Sequence, residues 1–248
     1  MGRASRYRAG GGAGVTLAAW EKVTGWGTKQ DPGSVDSGAT TEDNGDITLS
    51  LDELAATQVD GVQKNRLHYR KLITAVWSDF DYTKDIVEMR VDFASIPISA
   101  TLHKIGVAFG ITEGATIGSR LGTMFGIYPN TSTIFRTCSM TSSGQNATSD
   151  MTAADIPLRM YATHQLYRRT DGTVRVGARV GRVANDGDYE SSAIAANPAN
   201  HLTAAGVANW CFEVGHIQIS ATAPGADHDI DLSVYVRRLR TSEILPTT

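Results

Sequence analysis

Carboxylates on alternating positions are the residues of this sequence whose spacing could support catalysis. Glu88 and Asp92 would share one face of a strand, because alternate residues of a strand face the same side. Two carboxylates can hydrolyse a glycosidic bond when one acts as the acid and the other as base or nucleophile. Arg90 lies between them on the same face, however, and this arrangement favours a salt-bridged outer surface. We therefore expect no catalytic residue here.

The spacings that mark other kinds of active site are absent from the sequence. There is no GxSxG nucleophile elbow, and the glycine-rich segment 10–14 lacks the lysine of a phosphate-binding loop. The histidines and the two cysteines, Cys138 and Cys211, show no zinc-ligand spacing. The cysteines are expected as buried thiols, with one disulfide between them as the alternative. The sequence predicts a protein that is not an enzyme and uses no cofactor.

A second set of alternating carboxylates raises the question of a calcium ion. Asp227, Asp229 and Asp231 precede and enter an apolar strand, and the turn 185–188 adds two further aspartates. Calcium takes six to eight oxygen ligands, and the sequence contains no twelve-residue calcium loop. We interpret these groups as solvated loop carboxylates and expect no metal.

Basic and aromatic residues are concentrated in the segment 159–182. The cluster consists of Arg159, Arg168, Arg169, Arg175, Arg179 and Arg182, with Tyr161 and Tyr167 between them. Such a surface could bind a nucleic-acid backbone or an acidic glycan. It could also pair with the acidic segment 30–63, which contains eight acids and no base. The formal net charge of -3 argues against nucleic acid.

The chain from residue 67 onward is dominated by alternating apolar and polar residues. Val87, Met89, Val91 and Phe93 alternate with charged residues, and the other strand candidates are 47–51, 67–77, 104–111, 122–128, 133–140, 207–221 and 230–236. Many short strands separated by Gly, Asn and Asp turns are typical of a sandwich or barrel. The sequence therefore predicts an all-β antiparallel sandwich.

One hairpin allows its register to be predicted. A three-residue loop, 170–172, would pair Leu166 with Val176, His164 with Ala178 and Ala162 with Val180. This register keeps the apolar and polar faces consistent, whereas a two-residue turn mixes them. It requires a bulge at Gly172 in a left-handed conformation. His164 then lies on the apolar face and is expected as a buried, hydrogen-bonded core residue.

The chain divides into two segments that differ in composition and in strand content. Residues 1–66 are expected to form an arm and an irregular attachment segment, and residues 67–248 the sandwich. The first residues show no secretory signal, and no apolar run approaches the ~20 residues of a membrane span, so we expect a soluble protein without a membrane partner. The residues predicted to bind a partner are Arg3, Arg6, Tyr7, Arg8, Trp20 and Trp26.

The segments 210–220 and 230–236 resemble the closing strands of concanavalin-like and other jelly-roll sandwiches. In composition and in the order of its segments, the chain resembles structural proteins of tailed bacteriophages, because it has a Gly/Arg arm and short Thr/Ala/Gly-rich strands. This resemblance implies a head-decoration, head-fibre or tail-appendage protein, oligomeric and located in the virion after assembly in the host cytoplasm. No functional residue can be transferred, because no motif aligns position by position.

The sequence therefore leaves three candidate functions. The first is a non-enzymatic particle component that binds copies of itself, most simply as a trimer, and other particle proteins, with host-surface attachment as a further role. The second is a lectin-like module, for which the aromatic candidates are Trp77, Tyr82, Tyr161, Tyr167 and Tyr189. The third is a glycoside hydrolase on the same fold.

Overall fold

The computed structural model describes residues 16–17, 19–30, 41–51, 67–95, 105–113, 121–129, 134–141, 144–152, 159–168, 173–182, 202–218 and 228–240. Within these ranges the strands are β1 (Thr16–Leu17), β2 (Glu21–Lys22), β3 (Gly27–Gln30), β4 (Thr41–Asp43), β5 (Asp46–Leu51), β6 (Leu67–Leu72), β7 (Asp85–Ser95), β8 (Ile105–Glu113), β9 (Leu121–Pro129), β10 (Ile134–Thr141), β11 (Gly144–Thr152), β12 (Arg159–Arg168), β13 (Thr173–Arg182), β14 (Leu202–Thr203), β15 (Cys211–Gln218) and β16 (His228–Arg240). One α-helix, α1 (Ile73–Val76), and one 3-10 helix (Ala204–Asn209) complete them. No helix in the described ranges has the length and apolar character needed to cross a membrane.

The described strands form two antiparallel sheets. A nine-stranded sheet has the order β14-β13-β12-β7-β16-β5-β4, and β1 and β2 also pair with β16. A seven-stranded sheet has the order β11-β10-β9-β8-β15-β6-β3. The predicted fold class, an all-β antiparallel sandwich, is confirmed.

The core lies between the two sheets and contains the inward side chains of both. The nine-stranded sheet contributes Val87, Met89, Val91, Phe93, Ile230, Leu232, Val234 and Val236, and the seven-stranded sheet contributes Val107, Phe109, Ile111, Phe212 and Val214. All are buried, as the alternation of the sequence predicts for strands with one face toward the core. Trp210 is fully buried, and the ring of Tyr82 contacts it edge-on with centroids 5.5 Å apart.

The predicted hairpin register is confirmed. Strands β12 and β13 pair Leu166 with Val176, His164 with Ala178 and Ala162 with Val180. The backbone pairing of His164 with Val87 of β7 places this residue on the inner face. Gly172 and the predicted loop lie outside the described residues.

Local sequence also explains the tight turn between β4 and β5. Asn44 and Gly45 adopt positive φ angles of 50° and 84°, as a two-residue hairpin turn requires. Glu42 Oε1 accepts hydrogen bonds from the backbone N–H groups of Gly45 and Gly25, at 2.8 and 3.2 Å. This carboxylate ties the turn to the segment that leads into β3.

Three strand predictions differ from the structure. The candidate strand 207–221 begins only at Cys211, because residues 204–209 form the 3-10 helix. The candidate strand 67–77 ends at Leu72, because residues 73–76 form the helical turn α1. Trp77 N donates to Ile73 O at 2.8 Å and closes that turn. The alternation does not identify β11, since its residues are mostly polar. It is the last strand on its path in the seven-stranded sheet, where a polar sequence is tolerated.

The described part of residues 1–66 contributes strands to both sheets. β1, β2 and β5 pair with β16, and β3 pairs with β6. Val23 is buried, and its backbone N–H donates to Val234 O at 2.9 Å. This part of the expected attachment segment therefore belongs to the sandwich. Arg3, Arg6, Tyr7 and Arg8 lie outside the described residues.

The register separates the two cysteines. Cys211 is a buried thiol in β15, and Cys138 lies in β10, three strands away across β8 and β9. Three strand spacings of about 4.8 Å exceed the Cα separation of about 7 Å that a disulfide tolerates. The backbone therefore does not allow a bond between these two residues.

Candidate functional site

The outer face of the nine-stranded sheet presents an unusual group of side chains at its centre. Trp20, which precedes β2, lies over this face together with Arg90 of β7 and with Tyr235 and Arg237 of β16. We call these four residues the arginine–aromatic cluster. Strand pairing accounts for the assembly, because Arg90 is directly opposite Tyr235. Trp20 reaches the face since β2 pairs with β16 at Tyr235 and Val236.

The two guanidinium groups of the cluster lie over aromatic rings. Arg90 Cζ is 5.0 Å from the centre of the Trp20 ring and 4.2 Å from that of Tyr235. Arg237 Cζ is 4.4 Å from the Trp20 ring. Each such contact contributes about 0.5–1 kcal/mol at an exposed site. Together they hold a half-buried tryptophan in a defined position on the surface.

The two alternating carboxylates of β7, Glu88 and Asp92, lie beside the cluster, and each contacts an arginine. Glu88 forms an ion pair with Arg237 Nε, and Asp92 Oδ1 is 3.0 Å from Arg90 Nε. The second contact is poorly aligned, so that within the described residues Arg90 Nε has no hydrogen-bond acceptor despite being buried. A salt-bridged outer face is observed as predicted, but Arg90 pairs only with Asp92, whereas the partner of Glu88 is Arg237 from the neighbouring strand.

The register extends this face toward the predicted arginine hairpin. Tyr161 of β12 is the backbone partner of Arg90, and Arg159 is that of Asp92. Tyr167 is opposite Arg175 at the other end of the hairpin. Tyr161 therefore occupies the outer-face position next to the arginine–aromatic cluster, whereas Tyr189 lies outside the described residues.

Other predicted aromatic residues belong to the core. Trp26 is 8% exposed, and its Nε1 donates to Val23 O at 3.0 Å. Trp77 is 6% exposed and packs edge-on against Phe212, with ring centroids 5.8 Å apart. Tyr82 is partly buried against the same core. Neither tryptophan offers a surface to a partner or a sugar, because the core already covers both rings.

The predicted calcium candidates do not gather into a ligand set among the residues described. Asp231 Oδ1 accepts from Thr48 Oγ1 at 2.6 Å, and Asp229 is exposed opposite Ser50. No group of three acidic, histidine or cysteine side chains with metal-binding geometry occurs in those ranges. Asp227 lies outside them.

A polar network that the sequence did not indicate is buried in the seven-stranded sheet. Glu213 Oε1 is 2.7 Å from His68 Nδ1, and its other oxygen accepts from Thr112 Oγ1. The thiol of Cys211 lies 3.4 Å from the same hydroxyl. All four side chains are almost fully buried. They come from β6, β8 and β15, so only the strand order brings them together.

A second ionic network joins the end of β16 to the loop before β7. Arg240 donates two hydrogen bonds to Asp85, at 2.7 and 2.8 Å, and Arg240 and Arg238 both donate to Asp79 at 2.7 Å. The hydrogen bond from Arg238 holds the pKa of Asp79 below its usual range. The bonds to Asp85 raise the pKa of Arg240. This network fastens the last described strand, and we assign it a structural role.

Comparison with known proteins adds only distant similarities. No family model and no curated protein matches this sequence. Among solved structures, the chain is similar to a prokaryotic β-1,3-1,4-glucanase (lichenase) derived from a mouse hindgut metagenome, with 13% identity, a TM-score of 0.44, and coverage of 89% of this chain and 92% of the other. It is also similar to the CBM2 module of the evolved Dit of Lactobacillus casei BL23 phage J-1, with 9% identity, a TM-score of 0.41 and coverages of 93% and 98%. The carbohydrate recognition domain of Emp47p is similar with 11% identity, a TM-score of 0.43, and coverage of 89% of this chain and 91% of the other. At these values none of the similarities bears on function.

Proposed function

We propose that this chain is a non-enzymatic binding protein that serves as a structural component of a phage-like particle. Its contact surface is the outer face of the nine-stranded sheet. The observation that carries the proposal is the arginine–aromatic cluster, in which two guanidinium groups lie against the Trp20 ring. Partners on this surface are proteins, copies of this chain among them.

The composition of the cluster supports protein binding. Tryptophan, tyrosine and arginine dominate the residues that contribute most to the affinity of protein interfaces. Here they are held in place before binding, because Arg237 is paired with Glu88 and Arg90 lies against two rings. A surface ordered in advance loses less side-chain entropy when a partner docks.

The pairing of the carboxylates supports a role without catalysis. A glycoside hydrolase needs one carboxyl group to protonate the leaving oxygen and a second to act as base or nucleophile. Glu88 and Asp92 instead face arginines in the same layer of side chains. The hydrolase is therefore the least supported of the three functions.

A carbohydrate-binding module is the second candidate. The observation in its favour is the row formed by Tyr235, Arg90 and Tyr161 at paired positions across three neighbouring strands, with Trp20 above it. Aromatic rings and a few polar groups on a rigid surface are the usual means of orienting a small ligand. Sugar binding on this face would depend on Trp20.

One experiment on the full chain separates the three functions. Sedimentation velocity measures mass against concentration, a glycan array measures sugar binding, and a reducing-end assay measures hydrolysis of β-glucans. We expect concentration-dependent oligomers that Trp20→Ala weakens several-fold, without saturable sugar binding or hydrolysis. Leu72→Ala, which removes an exposed side chain from the other sheet, is the matched control and should change nothing.

Two outcomes would overturn the proposal. A monomer that binds a sugar saturably, with binding lost in Trp20→Ala but kept in Leu72→Ala, would establish the carbohydrate-binding module. Release of reducing ends that rises with enzyme concentration would establish the hydrolase.

A further inference from the structure

Most hydrogen-bond donors of the arginine–aromatic cluster have no acceptor in the described part of the chain. A guanidinium group carries five N–H donors, one on Nε and two on each Nη nitrogen. Arg237 Nε donates to Glu88, and Arg90 Nε lies 3.0 Å from Asp92 without a hydrogen bond. Among the described residues, no group accepts a hydrogen bond from an Nη nitrogen of either arginine. These donors are therefore available to another molecule.

The unused donors reach the protein surface, although most of each arginine is covered. The side chain of Arg90 is 11% exposed and that of Arg237 is 24% exposed. Arg90 Nε is fully enclosed without an acceptor, but no Nη nitrogen of the two arginines is. Each Nη group therefore contacts solvent, and its N–H donors are accessible to a ligand. The enclosed Nε of Arg90 is a further unmet donor in the same side chain.

Aromatic rings fix the position of both guanidinium groups. Arg90 Cζ is 4.2 Å from the centre of the Tyr235 ring, and it is 5.0 Å from the centre of the Trp20 ring. Arg237 Cζ is 4.4 Å from the centre of the same tryptophan ring. The attraction is between the cation and the π face, so it does not consume N–H donors as an acceptor atom would. Both sets of donors therefore border one tryptophan ring, in a geometry that is set before any ligand binds.

Arg240, on the same strand as Arg237, shows the contrasting arrangement. Its Nε and Nη2 donate to the carboxylate of Asp85 at 2.7 and 2.8 Å, and its Nη1 and Nη2 donate to Asp79 at 2.7 and 2.6 Å. All three nitrogens have acceptors within the fold, as expected of a structural ion-pair network. The unused Nη donors distinguish the arginines of the cluster from such a network.

Donor geometry and local charge together indicate the ligand. The Nη groups of a guanidinium form a planar fork that matches the two oxygens of a carboxylate. Asp92 and Glu88 balance the charges of Arg90 and Arg237, so these four groups attract no anion over a long range. The same two carboxylates would repel a polyanion such as a nucleic acid. A single carboxylate, in contrast, can bind at contact distance beside the Trp20 ring.

We propose that the arginine–aromatic cluster binds an aspartate or glutamate side chain of the partner protein, through the Nη groups of Arg90 and Arg237. This inference rests on the proposed assembly function and names the chemistry that its contact surface recognises. Hydrogen bonds between a guanidinium group and a carboxylate are roughly twice as strong as those between neutral groups. The half-buried ring of Trp20 packs against the apolar stem of the acidic side chain and shields these bonds from water.

Two-dimensional NMR of the full, isotope-labelled chain measures binding through the tryptophan indole N–H signals. The Trp20 signal is the one lost in Trp20→Phe. Trp26, Trp77 and Trp210 serve as internal references, because their indole N–H groups donate within the chain. The probe is N-acetylglutamic acid α-amide, which presents a glutamate side chain between neutral ends. Its matched control is N-acetylglutamine α-amide, which has the same shape without the charge, and sodium chloride keeps the ionic strength equal in all titrations.

We expect the glutamate probe to shift the Trp20 signal saturably, while the glutamine probe leaves it unchanged and the three reference signals stay in place. Replacing both arginines, Arg90→Lys with Arg237→Lys, should weaken binding about tenfold or more, because lysine keeps the charge but lacks the planar fork. Arg70→Lys in β6 of the other sheet is the control variant and should leave the titration unchanged, since Arg70 has no described ring contact. Thermal unfolding verifies that each variant folds, and the comparison of the two probes on the wild type decides the question if a variant does not.

The contrary results distinguish the carboxylate site from the assembly function. A Trp20 signal that does not shift up to about 100 mM glutamate probe, or that shifts equally with the glutamine probe, would overturn the carboxylate site. The assembly function would still stand if Trp20→Ala weakens the oligomers in sedimentation velocity. If the methyl glycoside of glucuronic acid binds at least about tenfold more tightly than the glutamate probe, the ligand is an acidic glycan, and both the protein partner and the proposed function are refuted. Saturable binding of the glutamate probe by a chain that stays monomeric would support the site and exclude copies of this chain as the partner.

Discussion

Replacing Gly215 by alanine should be among the most destabilising single-methyl changes in this chain. The His68 ring lies directly over Gly215, so a Cβ atom built there would overlap the ring carbons and lie 2.8 Å from Nε2. The ring cannot move freely, because its Nδ1 is 2.7 Å from Glu213 Oε1 and the side chain is fully buried. Either the two strands separate or the histidine leaves its carboxylate.

The cost follows from these two alternatives. Forcing an extra methyl group into a packed interior typically costs about 1–3 kcal/mol. If His68 is displaced, Glu213 also loses a buried hydrogen bond, at a further cost of about 1–3 kcal/mol. We therefore expect Gly215→Ala to lower the free energy of unfolding by about 2–6 kcal/mol. For a domain stabilised by about 5–15 kcal/mol, the upper end of that range is a large fraction of the total.

Urea unfolding followed by tryptophan fluorescence measures the change. Gly27→Ala in β3 is the matched control, because the nearest atom to its added Cβ is Arg70 O at 3.7 Å, an ordinary contact. This control should stay within about 0.5 kcal/mol of the wild type. A double-mutant cycle with His68→Ala completes the test, since removal of the ring should abolish most of the cost at Gly215. Equal effects at the two glycines, or no coupling to His68, would refute the reasoning.

The remaining predictions concern the pH dependence of stability, calcium binding and the hairpin loop at Gly172. Hydrogen bonds from Thr83 lower the pKa of Asp81, so the ionised carboxylate stabilises the fold fully above its unfolded pKa of about 3.9, and this stabilisation is lost as the pH falls through the lower folded pKa. Between pH 6 and 2.5 the free energy of unfolding should therefore fall less steeply for Asp81→Asn than for the wild type. Parallel curves for the two proteins would contradict this. Chelator treatment should leave the melting temperature unchanged within about a degree, because a native-state calcium site at Asp229 and Asp231 would stabilise by mass action, and a fall of many degrees would show such a site. Gly172→Val should cost about 1 kcal/mol or more if the loop needs a left-handed glycine, and an unchanged urea midpoint would contradict the predicted bulge.

The sandwich was predictable because strand alternation is a local property. Val87, Met89 and Val91 had to face the same side, and the hairpin register followed from requiring apolar residues to meet apolar residues across β12 and β13. The helical turn at residues 73–76 escaped prediction, since Ile73 and Val76 suit either conformation. Its formation depends on a long-range bond, from Ile73 N to Trp210 O at 3.0 Å.

The candidate site was less predictable than the fold because its members come from distant parts of the chain. Glu88, Arg90 and Asp92 were recognised as one outer face, since they belong to one strand. Trp20 was assigned to partner binding, but its position over Arg90 and Arg237 depends on the pairing of β2 with β16, more than 200 residues later. The burial of Trp26 and Trp77 is equally non-local.

The position of β16 in the chain has a consequence for biosynthesis. This strand follows every other described strand in sequence, yet it is the partner of β1, β2, β5 and β7 in the nine-stranded sheet. Until residues 228–240 have left the ribosome, those four strands lack the backbone partner that joins them. The sheet can therefore close only after these residues have emerged, and contacts of such large sequence separation are slow to form. During synthesis the emerging chain exposes strand edges, and chaperone binding should be greatest just before β16 appears.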